Sequence, residues 1–391
     1  MGQFDKPQPG EHSAFQDFEK DIQRFMQRWD LPGVSLALAK DGEIRYKKAF
    51  GKAHSDIDIK TDNVFRIASL SKPITALAIM VLAEQGKLKL DDFVFGEEGI
   101  LNTSQYKNIA DERIKKITVK HLLQHRGGWD RDKSPYRDPM FHAKAIGKIL
   151  GFTKKANPEN IISFMLTKKL EFMPGSQFAY SNLGYNILGR IVEKVSGFGY
   201  ETFVRKHILA PLDITDVKLG RSWFAEKHNE EVWYYAGKDK LWLPNDKKSR
   251  KELKTRLSFR KFKMEVLDAG CGWVASAESL AKILMAIHPD TTENRILKPE
   301  TTRLIQQAAV LNRNYGLGWF IHSDLSWSHH GCLPGSSAMM QMNTNGYSWV
   351  ILFNSWPDNN NFLPALEEKM AKALKELKIN IDNTKSTKMA A

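Results

Sequence analysis

Ser69 and Lys72 stand three residues apart at the head of "SLSKPITALAIMVLAEQG", a run that is otherwise almost wholly apolar. On a helix, i, i+3 spacing puts the hydroxyl and the amine on one face, about one turn apart. Pro73 is tolerated only where N–H groups lack intrahelical partners, which sets this pair in a first turn. Ser69 then lies near the positive end of the helix dipole, beside free backbone donors that would stabilise an anion formed on a bound substrate. A bare ammonium is costly to bury, so Lys72 must be solvated, paired or used. Desolvated, with its pKa lowered, it would take the Ser69 proton and make the hydroxyl a nucleophile. The plainer alternative is a helix cap followed by a lysine that reaches back to water.

Ser-x-x-Lys by itself is unspecific, and the chain holds four such pairs: Ser69–Lys72, Ser104–Lys107, Ser258–Lys261 and Ser279–Lys282. Only the first precedes a continuous apolar helix. Two further segments bear on it: "MPGSQFAYSNLGYNILG", with Tyr180-Ser181-Asn182 just before a helical pattern, and "WSHHGCLPGSSA", with His329-His330-Gly331 on a strand-like run. In this order the three resemble the signatures of the serine β-lactamase and penicillin-binding-protein superfamily. Tyr-x-Asn and His-x-Gly are similar to the branch of class C β-lactamases, D-aminopeptidases and family VIII-type carboxylesterases. "VKHLLQHRGGW", "DAGCGWVASAESLAKIL" and "NYGLGWF" fall at the expected intervals, so the resemblance spans most of the chain.

That resemblance implies a hydrolase working through an acyl-enzyme on Ser69, with Lys72 and Tyr180 sharing the general-base work and depressing each other's pKa. Asn182 would contact Lys72 and substrate. The oxyanion would be held by the backbone N–H groups of Ser69 and of Cys332, the residue after His329-His330-Gly331. No metal or cofactor is implied. The implied substrates are small esters, amides or β-lactams, with a β-lactamase, a D-amino-acid-directed peptidase or a penicillin-binding sensor as the alternatives to a carboxylesterase-like enzyme.

His329 departs from the lysine that many relatives carry there to hold a substrate carboxylate. Imidazole titrates near pH 6.5, so its grip would weaken as pH rises, which favours neutral acyl donors. His330 is the alternative imidazole. Cys271 and Cys332, the only cysteines, both fall in segments that border the site by resemblance. Two separate buried thiols are the plainer reading, and a pair coupled by oxidation is the alternative. His121 and His125 have i, i+4 spacing but no third ligand suggests itself, so no metal site is expected. A Gly-x-Ser-x-Gly elbow and a Gly-rich nucleotide loop are both missing. Trp129, Tyr136, Trp233, Tyr234 and Tyr235 are candidates for an apolar acyl pocket or for core.

The elements that must position these groups are legible in outline. Apolar residues at helical spacing (Phe15, Phe18, Ile22, Phe25, Met26, Trp29) follow Ser13, which reads as a cap. "VSLALAK" and "EIRYKKAFG" flank the turn pair Asp41-Gly42, and "SSAMMQMN" and "YSWVILFN" flank Asn345-Gly346. Gly86 ends the Lys72 helix. Strand signals at both ends with helical patterns between predict an α/β (α+β) fold. An antiparallel sheet would be built from the N- and C-terminal segments (1–86 and 266–380), with a mainly helical insertion (87–265) and a flexible tail at 381–391.

At 391 residues with 42% hydrophobic content, the chain can bury a large core, and no apolar run approaches the roughly 18 residues that cross a bilayer. The net charge of +13 is local: residues 238–263 hold 11 basic and 3 acidic side chains. A solvated basic segment is the first reading and an anionic surface its candidate partner. No nucleic acid is expected, because no recognition motif accompanies the charge. The compartment stays open: cytoplasmic if Met1 is the native start, periplasmic or secreted if a leader has been removed.

Overall fold

The computed structural model of the chain describes residues 11–54, 56–154, 156–222, 226–236, 262–289, 295–307, 314–344, 346–357 and 359–389. Most of the basic segment expected to meet an anionic surface, together with Ser258 and Lys261, lies outside the described residues.

Seven antiparallel strands form the main sheet, in the order β3 (Ile57–Asp58), β2 (Glu43–His54), β1 (Gly33–Lys40), β11 (Tyr347–Phe353), β10 (Ser336–Met342), β9 (Trp327–Leu333) and β8 (Phe320–Ile321). The two ends of the chain therefore meet at the centre, where β1 pairs with β11 from Val34↔Phe353 to Lys40↔Tyr347. Asp41 and Gly42, at φ 51° and 80°, make the β1–β2 turn, as a two-residue loop with both residues left-handed requires. Gly346, at φ 82°, occupies the second predicted turn, whose Asn345 lies outside the described residues.

The central strands are covered on both faces, which explains their near-continuous apolar runs. Val34, Leu36, Leu38, Met339, Trp349, Ile351 and Phe353 face helices α1 (Glu11–Trp29) and α11 (Phe362–Met389). On the other face Ala37, Met340, Val350 and Leu352 join the larger core. Two boundaries differ from expectation. Helix α1 begins at Glu11, two residues before Ser13, so Ser13 is not its cap. Helix α11 continues through Met389, beyond the apolar periodicity and into the expected tail.

Between the two halves of the sheet come α2 (Ser71–Glu84), α3 (Val119–Leu123), α4 (Ala143–Ile149), α5 (Pro158–Leu166), α6 (Asn182–Ser196) and α7 (Tyr200–Val204). Next are α8 (Met264–Cys271), α9 (Ala277–Ala286) and α10 (Pro299–Gln307). Small strands β4 (Phe65–Arg66), β5 (Lys218–Leu219) and β7 (Trp273–Ala275) form a second sheet, and β6 (Tyr235–Ala236) pairs with β12 (Ser355–Trp356). Helix α2 is buried from Ser71 to Leu82, which accounts for its all-round apolar sequence.

Helix α8 is anchored by charge. Arg190 on α6 donates to Asp268 (2.8 Å) and Glu159 (2.6 Å) and pairs with Glu193 (2.9 Å); Arg190 and Asp268 are all but closed to solvent, while the two glutamates stay partly exposed. Thr75 of α2 adds a 2.6 Å bond to the Ala269 carbonyl. Removing one member of a buried ion cluster strands the others. Arg190→Met is therefore expected to lower the unfolding free energy by about 3 to 5 kcal/mol in a denaturant titration, and a change as small as that of an exposed pair would show that α8 is held by other contacts.

Candidate active site

The Ser69 segment is shaped before any chemistry is considered. Strand β4 runs into a 3₁₀ turn, Ala68–Leu70, whose first residue takes φ 49°, a left-handed conformation that costs a non-glycine residue about 1 kcal/mol. The turn is pinned by Ser71 Oγ donating to the Ala68 carbonyl (2.6 Å) and accepting from the Trp273 N–H (3.2 Å). Helix α2 follows at once, with Pro73 in its first turn as the sequence required.

Lys72 is fully buried beside this turn. Its three N–H bonds have three oxygen acceptors: Ser69 Oγ at 3.0 Å, the Gly270 carbonyl at 2.9 Å and Asn182 Oδ1 at 2.6 Å. Cys271 Sγ lies 3.5 Å from Lys72 Nζ, 3.5 Å from Ser69 Oγ and 3.2 Å from Asn182 Oδ1. The Tyr180 ring is 4.8 Å from Nζ, and its hydroxyl interacts with both Ser69 and Lys72. Five of the residues singled out in the sequence thus share one cluster, assembled from the starts of α2 and α6 and the end of α8.

The protonation of the cluster differs from expectation. Burial pulls the Lys72 pKa down, as foreseen, but Cys271, Tyr180 and Asp138 outweigh it and the net direction is up. Because those neighbours outweigh burial, the expected neutral lysine is corrected to a cation. Tyr180 is also raised, because burial exceeds the lowering by Lys72. The resting pair is therefore ammonium and phenol.

Strand β9 supplies the opposite wall. A Cβ on Gly331 would fall 2.5 Å from the Ile67 carbonyl oxygen and 2.8 Å from Ser69 N, so only glycine lets the strand lie against the Ser69 backbone. Leu333 pairs with Ser336 across the Pro334-Gly335 turn, and antiparallel alternation then turns the Cys332 N–H away from β10. Ser326, at the same parity, likewise uses its carbonyl on the far side, toward His322.

The Beta-lactamase family model matches residues 18–372. The chain belongs to the beta-lactamase family. It is 24% identical over 363 residues to Protein flp of Staphylococcus aureus (strain MW2), covering 91% of this chain and 65% of that one. It is 27% identical over 329 residues to Penicillin-binding protein 4* of Bacillus subtilis (strain 168), covering 80% of this chain and 66% of the other. The chain thus spans about two thirds of the length of these curated relatives. Among solved structures, the octameric penicillin-binding protein homologue from Pyrococcus abyssi superposes with TM-score 0.69 at 25% identity, covering 92% of this chain and 77% of that one. The fold is also shared with D-amino acid amidase from Ochrobactrum anthropi SV3, at TM-score 0.69 and 21% identity, covering 93% and 99%.

Within this beta-lactamase-family site, His329 is the main correction. It is fully buried, its Nδ1–H donates to the His330 carbonyl (2.8 Å), and its Nε2 accepts from the Tyr315 hydroxyl (3.1 Å). Burial, then His330 and Lys72, push its pKa well below the ordinary value. A neutral ring with both nitrogens engaged offers no cation to a carboxylate, so the expected pH-dependent grip has no basis. His330, half-buried against Phe320, is pushed down to about 4 by burial and then by Lys72.

Cys271 is buried and Cys332 half-buried, and no disulfide joins them. His125 leaves the α3 helix at φ 55°, so His121 and His125 do not share a helical face. Instead His121 Nδ1 accepts the Thr118 N–H in a capping box, and His125 Nδ1 accepts the Ser181 N–H with its ring 4.2 Å from that of Tyr180. Of the candidate aromatics, Trp129 lines a small hollow beside Asn182 together with Arg131 and Asp138. Tyr136 packs on Phe164, Trp233 on His54, Tyr234 on Arg66, and Tyr235 sits in β6.

Sequence reasoning named His125 only for its spacing from His121, and missed Asp138. Asp138 accepts from Asn182 Nδ2 at 2.5 Å. The family segment around "HRGGW" pointed to the neighbourhood of His125, and nothing in the sequence pointed to Asp138.

Gly331→Ala is the direct test of the β9 wall. Its methyl meets backbone on both sides, so the strand must withdraw from Ser69. Labelling of Ser69 by an acylating or phosphonylating probe is expected to slow by about a hundredfold, the typical loss when one oxyanion donor is removed. Unchanged labelling in a folded Gly331→Ala protein would place the donors elsewhere.

Proposed function

We propose that the protein is a serine hydrolase that forms and then hydrolyses an acyl-enzyme on Ser69. The observation that carries this reading is the 3.0 Å contact between Lys72 Nζ and Ser69 Oγ, within a buried cluster that also engages Asn182, Tyr180 and the Gly270 carbonyl. A cap followed by a solvated lysine would not bury the amine or surround it with acceptors.

In this reading the base is the Lys72–Tyr180 pair after it has lost one proton, a state that belongs to the pair and not to either residue. The pair takes the Ser69 proton as Oγ attacks the acyl carbon. Charge on the carbonyl oxygen falls on the N–H groups of Ser69 and Cys332, and the proton passes to the leaving alcohol or amine. Water then repeats the sequence on the ester, releasing the acid and restoring Ser69.

Small esters, amides and β-lactams are the substrate classes. Neutral acyl donors are favoured because His329 and His330 are both held neutral at pH 7 and Lys72 is saturated by its own acceptors. The shared fold with a D-amino acid amidase supports D-aminoacyl amides as the second class. Turnover of nitrophenyl esters, nitrocefin and D-alanyl amides compared on one preparation separates these readings. Nitrocefin turned over far faster than the esters would reverse the order, and a penicillin that stays attached for hours would indicate a sensor.

Intact-mass spectrometry after exposure to a fluorophosphonate is expected to show one adduct, absent from Ser69→Ala. An adduct that persists in that variant overturns the nucleophile assignment.

The pH profile follows from the directions at Lys72 and Tyr180. Both are raised, so the pair gives up its proton only on the alkaline side, and the active form grows as pH rises. The rate of Ser69 labelling is expected to climb above pH 7 without an inflection near the ordinary histidine value of about 6.5. A limb centred there would make a histidine the base.

A further inference from the structure

A lysine buried beyond water needs an opposite charge as well as dipoles, because desolvation of an ammonium exceeds what hydrogen bonds to neutral oxygens return. The acceptors around Lys72 are a hydroxyl, an amide and a carbonyl, none of them charged. The nearest carboxylate along the chain of hydrogen bonds is Asp138. Its Oδ2 accepts from Asn182 Nδ2 (2.5 Å), and its Oδ1 accepts from the Met140 N–H (3.2 Å), capping the short turn Pro139–Phe141.

The amide between them can lie only one way round. Lys72 Nζ and Cys271 Sγ both donate to one end, which must be Oδ1, and Asp138 accepts at the other, which must be Nδ2. A continuous line therefore runs from the Met140 N–H through Asp138, Asn182 and Lys72 to the Ser69 hydroxyl.

We propose that Asp138 is the counter-charge of the site, a positioning residue that orients Asn182 and holds Lys72 as an ammonium in the resting enzyme. This rests on the serine-hydrolase reading above and adds to it the residue that sets where the base becomes available. Cys271 and Tyr180 raise Lys72 most and the Asp138 charge adds to them, while burial pushes the Asp138 carboxyl up and the Asn182 bond, Arg131 and Lys72 oppose it in favour of the carboxylate.

Among the described residues, other groups also face the pair. Tyr180 and Tyr185 turn their rings to Lys72 at 4.8 and 5.6 Å. Cys271 approaches from α8, and His125, His329 and His330, all neutral, feel the lysine's charge from α3's end and from β9. Arg131 is the remaining cation acting on Asp138, 5.2 Å from the Tyr180 ring at the rim of the hollow, where Arg137 also lies.

The test is the pH dependence of the rate of Ser69 labelling by a fluorophosphonate in the full chain, which needs no knowledge of the natural substrate. If wild type is not labelled at Ser69, the hydrolase reading fails first and independently. Given labelling, Asp138→Asn removes the charge and keeps the volume, and its alkaline limb is expected to move to lower pH by roughly one unit, with a reduced plateau. Asp138→Glu restores the charge and is expected to return the limb to the wild-type position, a rescue that a merely structural role would not produce. A limb that stays put in Asp138→Asn, or that moves as far in Asp138→Glu, overturns the proposal. Should Asp138→Asn not fold by circular dichroism, Asp138→Ser, which keeps an acceptor for the Met140 N–H, takes its place with the same two outcomes.

Discussion

The buried ammonium of Lys72 is the constraint around which the rest of the site is arranged. Water would satisfy three N–H bonds at no structural cost, whereas a dry interior must supply three acceptors from fixed directions. Here they come from three places in the chain: the turn before α2, the first residue of α6 and the last turn of α8. Those elements cannot drift apart without stranding a charge. The arrangement proposed to make Ser69 reactive is thus also one that the fold would be destabilised by losing. The Arg190 cluster does similar work behind α8, tying it to α5 and α6 with charges of its own.

The same constraint explains the state of the cluster. A lone buried lysine would release its proton, and that expectation is sound physics for the residue taken alone. It fails because the sequence shows the lysine without its surroundings. Cys271, Tyr180 and Asp138 are distant from Lys72 in sequence and gathered around it in space, and together they decide the sign of the Lys72 shift. Proton affinity is a property of the neighbourhood, so a motif can name the participants before it can say which of them is charged.

Legibility in the sequence followed the same division. Features carried by local periodicity or turn chemistry were readable: the apolar α2, the Asp41-Gly42 turn, the central strands, and the meeting of the two chain ends in one antiparallel sheet. Ser69 and Lys72 were readable because their relation is itself local, one turn of helix. Tyr180 and Asn182 became readable through the ordered resemblance, and both lie against the lysine. His329 was named correctly as a departure and misjudged in its surroundings, since burial and a bond to Tyr315 come from packing and not from the motif. Asp138 carried no signal of its own, and His125 carried one, its spacing from His121, that pointed to the wrong role. They sit on connecting segments without periodicity, where a polar residue looks like any other until its partner is known.

Packing on the other side of Ser69 gives the same lesson in backbone terms. Gly331 has an ordinary φ and no turn to explain it, yet a single methyl there would collide with the Ile67 carbonyl and the Ser69 amide. The glycine is required by distance, not by dihedral freedom. The close approach also brings β9 within reach of the turn that Ala68 bends at φ 49°, so local strain in the turn and the absence of a side chain on the strand serve one geometry. Backbone donors held in this way need no reorganisation when charge develops, which is where the advantage of a rigid wall over a solvent shell lies. A side chain at position 332 is then free to vary while its N–H stays put, and a half-buried cysteine there is compatible with a role carried wholly by the main chain.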